Sequence, residues 1–241
     1  MSAPKKTFVL VHGGGHGGWC WRRVAPLLRA QGHEVYTPTL TGLGERAHLL
    51  SPEVSLETHV TDVANVLAYE DLTDVVLVGH SYGGMVITGV ADRAPERVGH
   101  LVYLDAAIPR DGECLADSSP GVRKFADADM RLVDGVFLVL WPGPITRAVY
   151  GVTDPADLAW MEPKLTPHPY RTFTDPLVLQ NPAAAAGIPR TIINCPDTLA
   201  VRPPETRDRW FEAERVWELD TGHDAMITAP EATAELLLRL A

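Results

Sequence analysis

Val75-Val76-Leu77-Val78-Gly79-His80-Ser81-Tyr82-Gly83-Gly84 is the stretch on which the reading of this 241-residue chain turns. Four apolar residues run without alternation into a glycine, the pattern of a strand covered on both faces. The residues that follow, 82–93, read as a helix. Ser81 therefore stands in G-x-S-x-G between a strand and a helix. Such a sharp turn holds the serine in strained backbone geometry with its hydroxyl raised above the sheet, and side chains at Gly79 or Gly83 would clash across it. Three fixed positions recur by chance, and the strand before and the helix after give the motif its meaning.

The pattern around this stretch repeats. Phe8–Val11, Val35–Thr37, Leu101–Leu104, Thr191–Asn194 and Val216–Leu219 are further short apolar runs. Helical spacing fills the gaps between the early ones. Trp21, Val24, Leu27 and Leu28 share one face, and Val60, Val63, Val66 and Leu67 form a stripe in a helix over Leu56–Tyr69 with Ser55 as its N-cap. Six strands alternating with helices predict a mostly parallel sheet covered on both faces. The alternation stops at Ile108. From there to Gly187 the chain is rich in Pro, Trp and Phe, and a stretch this long is more than a plain connection. The expected organisation is thus a core of residues 1–107 and 188–241 with an inserted cap of 108–187.

Composition narrows the function. A net charge of −10 and no basic run argue against a nucleic-acid partner. No stretch reaches the roughly 18 apolar residues of a membrane span, and the run after Lys5-Lys6 is too short for a signal peptide. Three cysteines, Cys20, Cys114 and Cys195, lack the spacing of a disulfide framework and read as reduced thiols in a cytoplasmic protein.

A serine needs a base, and the base needs an orienting acid. In this topology the chain order is Ser, then Asp or Glu, then His. Of nine histidines, His223 follows the last strand in Thr221-Gly222-His223-Asp224, where a loop can reach the serine. Asp197, after the fifth strand, is the favoured acid. Asp105, which ends Leu101-Val102-Tyr103-Leu104-Asp105, is the alternative. Asp220 and Asp224 lie too near His223 in the chain to orient its ring.

Val9-Leu10-Val11-His12-Gly13-Gly14-Gly15-His16-Gly17-Gly18-Trp19 admits three readings: a dinucleotide fingerprint, a metal site at His12 and His16, or an oxyanion hole. The second strand ends in Thr-Pro with no acidic residue for a ribose. The two histidines lie on a glycine loop without the glutamate of H-E-x-x-H. Backbone amides remain, with Gly14 and Tyr82 as the expected donors. Neither cofactor nor metal is expected.

These motifs resemble the α/β-hydrolase superfamily, in the branch that holds plant methylesterases, hydroxynitrile lyases and small bacterial esterases. The resemblance spans nearly the whole chain. It is carried by His12 to Trp19, Thr41-Gly42-Leu43-Gly44-Glu45-Arg46, Gly79 to Gly84, Leu104-Asp105-Ala106-Ala107-Ile108-Pro109, His168-Pro169 and Gly222-His223-Asp224-Ala225-Met226. Hydroxynitrile lyases of this branch carry a threonine where Gly13 stands and a lysine where Asp224 stands. Both departures favour hydrolysis. The resemblance implies a serine hydrolase that cleaves carboxylic esters through an acyl-enzyme. Trp141, Trp160, Met161, Tyr150 and Phe137 in the cap point to a small apolar or aromatic substrate, or else to the cap's own core. A lyase or cyclase working at the same residues, and a catalytically silent ligand-binding module, are the competing readings. Self-association as a homodimer stays open.

Overall fold

A computed structural model describes residues 5–118, 120–144 and 146–241. The first half alternates strictly: β1 (Thr7–Val11), α1 (Ala25–Ala30), β2 (Glu34–Tyr36), α2 (Leu56–Tyr69), β3 (Val75–His80), α3 (Gly83–Arg93) and β4 (Val98–Leu104). A segment of mixed structure follows, with α4 (Leu115–Ser118), α5 (Pro120–Ala128), β5 (Met130–Val133), β6 (Val136–Val139), α6 (Pro155–Met161), β7 (His168–Pro169), α7 (Arg171–Thr174) and α8 (Pro182–Ala186). The chain then returns through β8 (Arg190–Asn194), α9 (Pro196–Val201), α10 (Pro204–Arg207), β9 (Arg215–Glu218), α11 (Ala225–Thr228) and α12 (Pro230–Leu238).

Six strands form one sheet in the order β2-β1-β3-β4-β8-β9. Every neighbouring pair in it is parallel. All six residues of β3 are buried, and Phe8 to Val11 of β1 are fully so, which is why both strands read as unbroken apolar runs. The strand order reverses between β1 and β3. Right-handed crossovers on either side of that point send α1 and α3 to opposite faces. Accordingly α1 packs with α12, and α2 packs with α3. The helix expected over Leu56–Tyr69 has those bounds. Ser55 accepts from the Thr58 N–H and Thr58 answers to the Ser55 N–H, both at 3.2 Å, a reciprocal cap.

The helical spacing from Trp21 to Arg29 resolves into two pieces. A tight turn covers Gly18–Arg22, and α1 begins at Ala25 with Pro26 in its first turn. Within the intervening segment β5, β6 and β7 make a separate three-stranded antiparallel sheet. No helix among the described residues is long and apolar enough to cross a membrane.

Candidate active site

The carboxyl ends of β1 and β3 meet where the strand order reverses, the place at which open α/β sheets bind their ligands. Two loops start there. One carries the glycines after Val11, and the other carries Ser81.

Ser81 has φ +54°, in the left-handed region that a side chain normally avoids. The turn around it closes tightly: a Cβ on Gly79 would come within 2.6 Å of the Gly83 carbonyl oxygen. The strain is held by the neighbouring strand. Ser81 N–H donates to the Leu104 carbonyl at 3.3 Å, and the Ser81 carbonyl accepts from Ala107 N–H at 3.0 Å. The side chain stays partly accessible.

His223 lies in the loop between β9 and α11. Its Nε2 accepts from the Ser81 hydroxyl at 2.9 Å. Its Nδ1–H donates to Asp105 Oδ2 at 2.5 Å. The three side chains thus form one hydrogen-bonded line. The carboxylate in it is Asp105, the alternative of the two candidate acids, and not Asp197, the favoured one. β8 ends at Asn194 and the chain turns at once into α9, whose first turn holds Asp197 exposed to solvent. Asp105 caps the adjacent β4, has φ +44°, and is fastened by its N–H to the Ile193 carbonyl at 2.7 Å.

The other oxygen of Asp105 faces donors only. Arg202 Nη2 lies 2.8 Å from Oδ1 and Cys195 N–H 3.4 Å, and the Thr198 hydroxyl also reaches the carboxylate. Burial alone would raise this carboxyl's pKa, but the bond to His223, its charge, Arg202 and Thr198 hold it well below the usual carboxylate range.

The glycine loop packs against the serine. A Cβ on Gly13 would fall 2.8 Å from Ser81 Cβ and 2.9 Å from His80 Nδ1, so the loop can sit here only without a side chain. The peptide between Gly14 and Gly15 is held at both ends. The Gly14 carbonyl accepts from His16 Nδ1 at 2.7 Å, and the Gly15 N–H donates to His168 Nδ1 of β7 at 3.1 Å. His168 passes its own Nε2–H to Thr172 at 2.8 Å. His16 Nε2 faces Asp224 Oδ2 at 3.1 Å. Burial would depress the pKa of His16, but Asp224 and the Gly14 carbonyl outweigh it and raise the pKa above that of a free imidazole. Both ring nitrogens face acceptors, so His16 is an imidazolium paired with the Asp224 carboxylate under the loop. Sequence reasoning weighed His16 only as a metal ligand and set Asp224 aside, so this pair is a finding of the structure.

His12 braces the same loop. Its Nδ1–H donates to the Gly13 carbonyl at 2.9 Å and its Nε2 accepts from Leu40 N–H at 3.1 Å, the neutral tautomer. Burial pushes its pKa down to about 3. His80 donates from Nε2 to the His223 carbonyl at 2.9 Å, and burial together with the nearby His223 lowers its pKa to about 3 as well.

Potential metal-ligand atoms of His80, His223 and Asp224 lie within 4.8 Å of one another. His223 spends both nitrogens on Asp105 and Ser81, and Asp224 is paired with His16. Gly14 and Tyr82, the expected oxyanion donors, flank Ser81 from the two loops. Tyr82 stands just ahead of the first turn of α3, where N–H groups have no partner within the helix. Above Gly14 lie Trp141, 3.1 Å from where a Cβ would be, and Phe173, 3.5 Å away. Of the aromatic residues singled out in the sequence, Trp141 is thus at the loop, with Tyr150 against it at 5.6 Å between ring centroids. Met161 is core, Phe137 is exposed, and Trp160 packs on Trp19.

The chain is similar to known proteins over nearly its whole length. A carbendazim hydrolyzing esterase from Nocardioides sp. (strain SG-4G) is 37% identical, over 97% of this chain and 99% of its own. Methylesterase 1 of Arabidopsis thaliana is 29% identical over 98% of this chain and 96% of its own. The solved structure of an extracellular α/β-hydrolase from a Paenibacillus species superposes with a TM-score of 0.79 at 25% identity, covering 97% of this chain and 98% of that one. The model of the alpha/beta hydrolase family matches residues 8–236, which takes in every element that positions Ser81, His223 and Asp105, and the chain belongs to that family.

Proposed function

We propose that this carboxylic ester hydrolase works through a Ser81–His223–Asp105 triad and an acyl-enzyme. The observation that carries the reading is the unbroken line from Ser81 Oγ through both nitrogens of His223 to a buried carboxylate. Ser81 attacks the ester carbonyl as His223 takes its proton. The resulting imidazolium is stabilised by ionised Asp105, which keeps its charge throughout. His223 then protonates the leaving alcohol, and water, activated by the same imidazole, frees the acid. The N–H groups of Gly14 and Tyr82 receive the negative charge that forms on the carbonyl oxygen. One such donor is worth roughly a hundred- to a thousandfold in kcat. Neither cofactor nor metal has a part in these steps.

Residues 108–187 act as the cap of this site. Trp141 and Phe173 crowd the face of Gly14 where a Cβ would stand, which favours a small apolar or aromatic ester with a flat face. A cytoplasmic location is part of the proposal and is supported by three unpaired, buried cysteines. Asp224, standing where a hydroxynitrile lyase of this branch carries a lysine, engages His16, so hydrolysis is preferred to cyanohydrin cleavage.

The test is turnover of a panel of p-nitrophenyl esters, aryl methyl esters and carbendazim by the native chain and by Ser81→Ala, alongside labelling with a fluorescent organophosphonate. Hydrolysis and labelling that both vanish in Ser81→Ala support the acyl-enzyme. A native chain that turns over esters without being labelled, or a labelled Ser81→Ala, overturns it.

A further inference from the structure

We infer that Arg202 is a positioning residue for the acid of this site: it holds one oxygen of Asp105 so that the other serves His223, and its charge tempers that of the carboxylate. The inference rests on the reading of Ser81, His223 and Asp105 as a triad.

Arg202 closes the C-terminal end of α9 and is a tenth exposed. Its Nη2 meets Asp105 Oδ1 at 2.8 Å, while His223 takes Oδ2. The guanidinium carbon lies over the Trp210 ring, 4.0 Å from its centroid. Trp210 is itself pinned by Nε1–H to the Ala106 carbonyl at 2.8 Å and, through its own carbonyl, to Asn194 Nδ2 at 3.1 Å. The cation is therefore held beside Asp105 against a ring that is itself fastened to the residue after Asp105 and to the last residue of β8. A surface ion pair would wander, whereas this one is desolvated, stacked and bound to an acid with no solvent exposure of its side chain.

The arrangement has an electrostatic consequence. An ionised carboxylate beside an imidazole favours the imidazolium, and a cation on the far side of the carboxylate opposes it. Among the described residues, the charged and titratable groups around this relay are Arg202 and Cys195 on Asp105, and His80 and Asp224 near His223. Cys195 stays a thiol, since burial and then the Asp105 charge push it up, and buried His80 stays neutral. Asp224 spends its charge chiefly on His16. Arg202 is thus the cation that tempers Asp105. Without it, the Asp105 charge acts on the relay untempered and the acidic limb of kcat/KM moves upward.

The experiment compares Arg202→Gln, which retains a donor but not the charge, with Arg202→Lys, which retains the charge. kcat/KM for a p-nitrophenyl ester is followed across pH, with folded enzyme counted by organophosphonate titration of Ser81. The expected result is an acidic limb raised by about one pH unit in the Gln variant and moved by less than about a third of that in the Lys variant. An unmoved limb in Arg202→Gln, with only the titratable fraction reduced, means that Arg202 is structural and overturns the inference. So does an equal shift in both variants. Asp105→Asn, measured alongside, tests the triad itself: full activity there removes the reading underneath, and a large loss there leaves the Arg202 outcome to stand on its own limb shift.

Discussion

Replacing Asp105 by Asn separates the two aspartates by a mechanism that the hydrogen bonds dictate. The donors at Oδ1, Arg202 and Cys195 N–H, would hold the amide oxygen of the new side chain there. The amide NH₂ then faces His223 Nδ1, which must become an acceptor. The imidazole proton moves to Nε2, the nitrogen that has to accept from Ser81. The base is present but carries its proton on the wrong side, and kcat falls by roughly 10³- to 10⁴-fold. A second effect follows from charge. Arg202 loses its counter-ion inside the protein at a cost of about 3 kcal/mol, in the lower range for a broken buried pair because the amide oxygen still accepts. For a chain of this size that lowers Tm by roughly 6–12 °C. Asp197→Asn touches an exposed side chain in the first turn of α9 and leaves both quantities within about twofold and 1 °C. The assay is ester hydrolysis normalised to phosphonate-reactive Ser81, with thermal unfolding on the same samples. Loss of activity in Asp197→Asn together with an active Asp105→Asn would refute the reasoning.

Three further outcomes are expected. Gly13→Ala drives a methyl into Ser81 Cβ and the His80 ring, so kcat drops about 100-fold or more while KM changes little; near-native turnover shows that the loop yields. His168→Ala frees the Gly15 N–H and with it the Gly14–Gly15 peptide, lowering kcat roughly 10- to 100-fold; an effect confined to Tm would make His168 a packing residue alone. Stability falls as pH drops from about 6.5 toward 4: His12 and His80 stay neutral to about 3 when folded, and His59, buried in α2 between the Thr41 carbonyl and the Tyr82 hydroxyl, to about 4, yet all three take up protons near 6.5 when unfolded, so each can cost up to about 1.4 kcal/mol per pH unit across that window. His16, raised by Asp224, acts in the opposite sense, and urea midpoints that do not decline below pH 6 would contradict the net result.

Much of this was legible because the signals were local. Unbroken apolar runs marked the strands, since parallel strands are buried on both faces, and G-x-S-x-G marked the turn, since its steric demand falls on fixed neighbours. His223 was legible as the histidine just past the last strand. The acid was harder, because two strand ends present an aspartate and the usual chain order fits both. What decided between them was the path of the chain after β8. Pro196 opens a helix there, which carries Asp197 away before its carboxylate can reach the imidazole. Arg202, His16 and Asp224 carry no local signal at all. Each draws its role from a partner far along the chain: Asp105 for the first, and each other for the remaining two.

The segment between β4 and β8 is usually pictured as a cover over a finished site, but its hydrogen bonds assign it a larger part. Thr166 N–H donates to the Gly15 carbonyl at 2.9 Å, and His168 accepts from the Gly15 N–H. Asp224 N–H donates to the Tyr150 carbonyl at 2.8 Å, and Gly151 lies directly against Gly222. The first pair of bonds holds the loop that carries the Gly14 amide, and the second holds the loop that carries His223. Swinging the whole segment aside would release both loops and undo the geometry that the sheet sets up. Residues 150–151 and 166–168 are therefore part of the frame that holds the two loops. The site is assembled from both parts of the chain, with the sheet aiming the reacting atoms and the segment holding still the two loops that bear them.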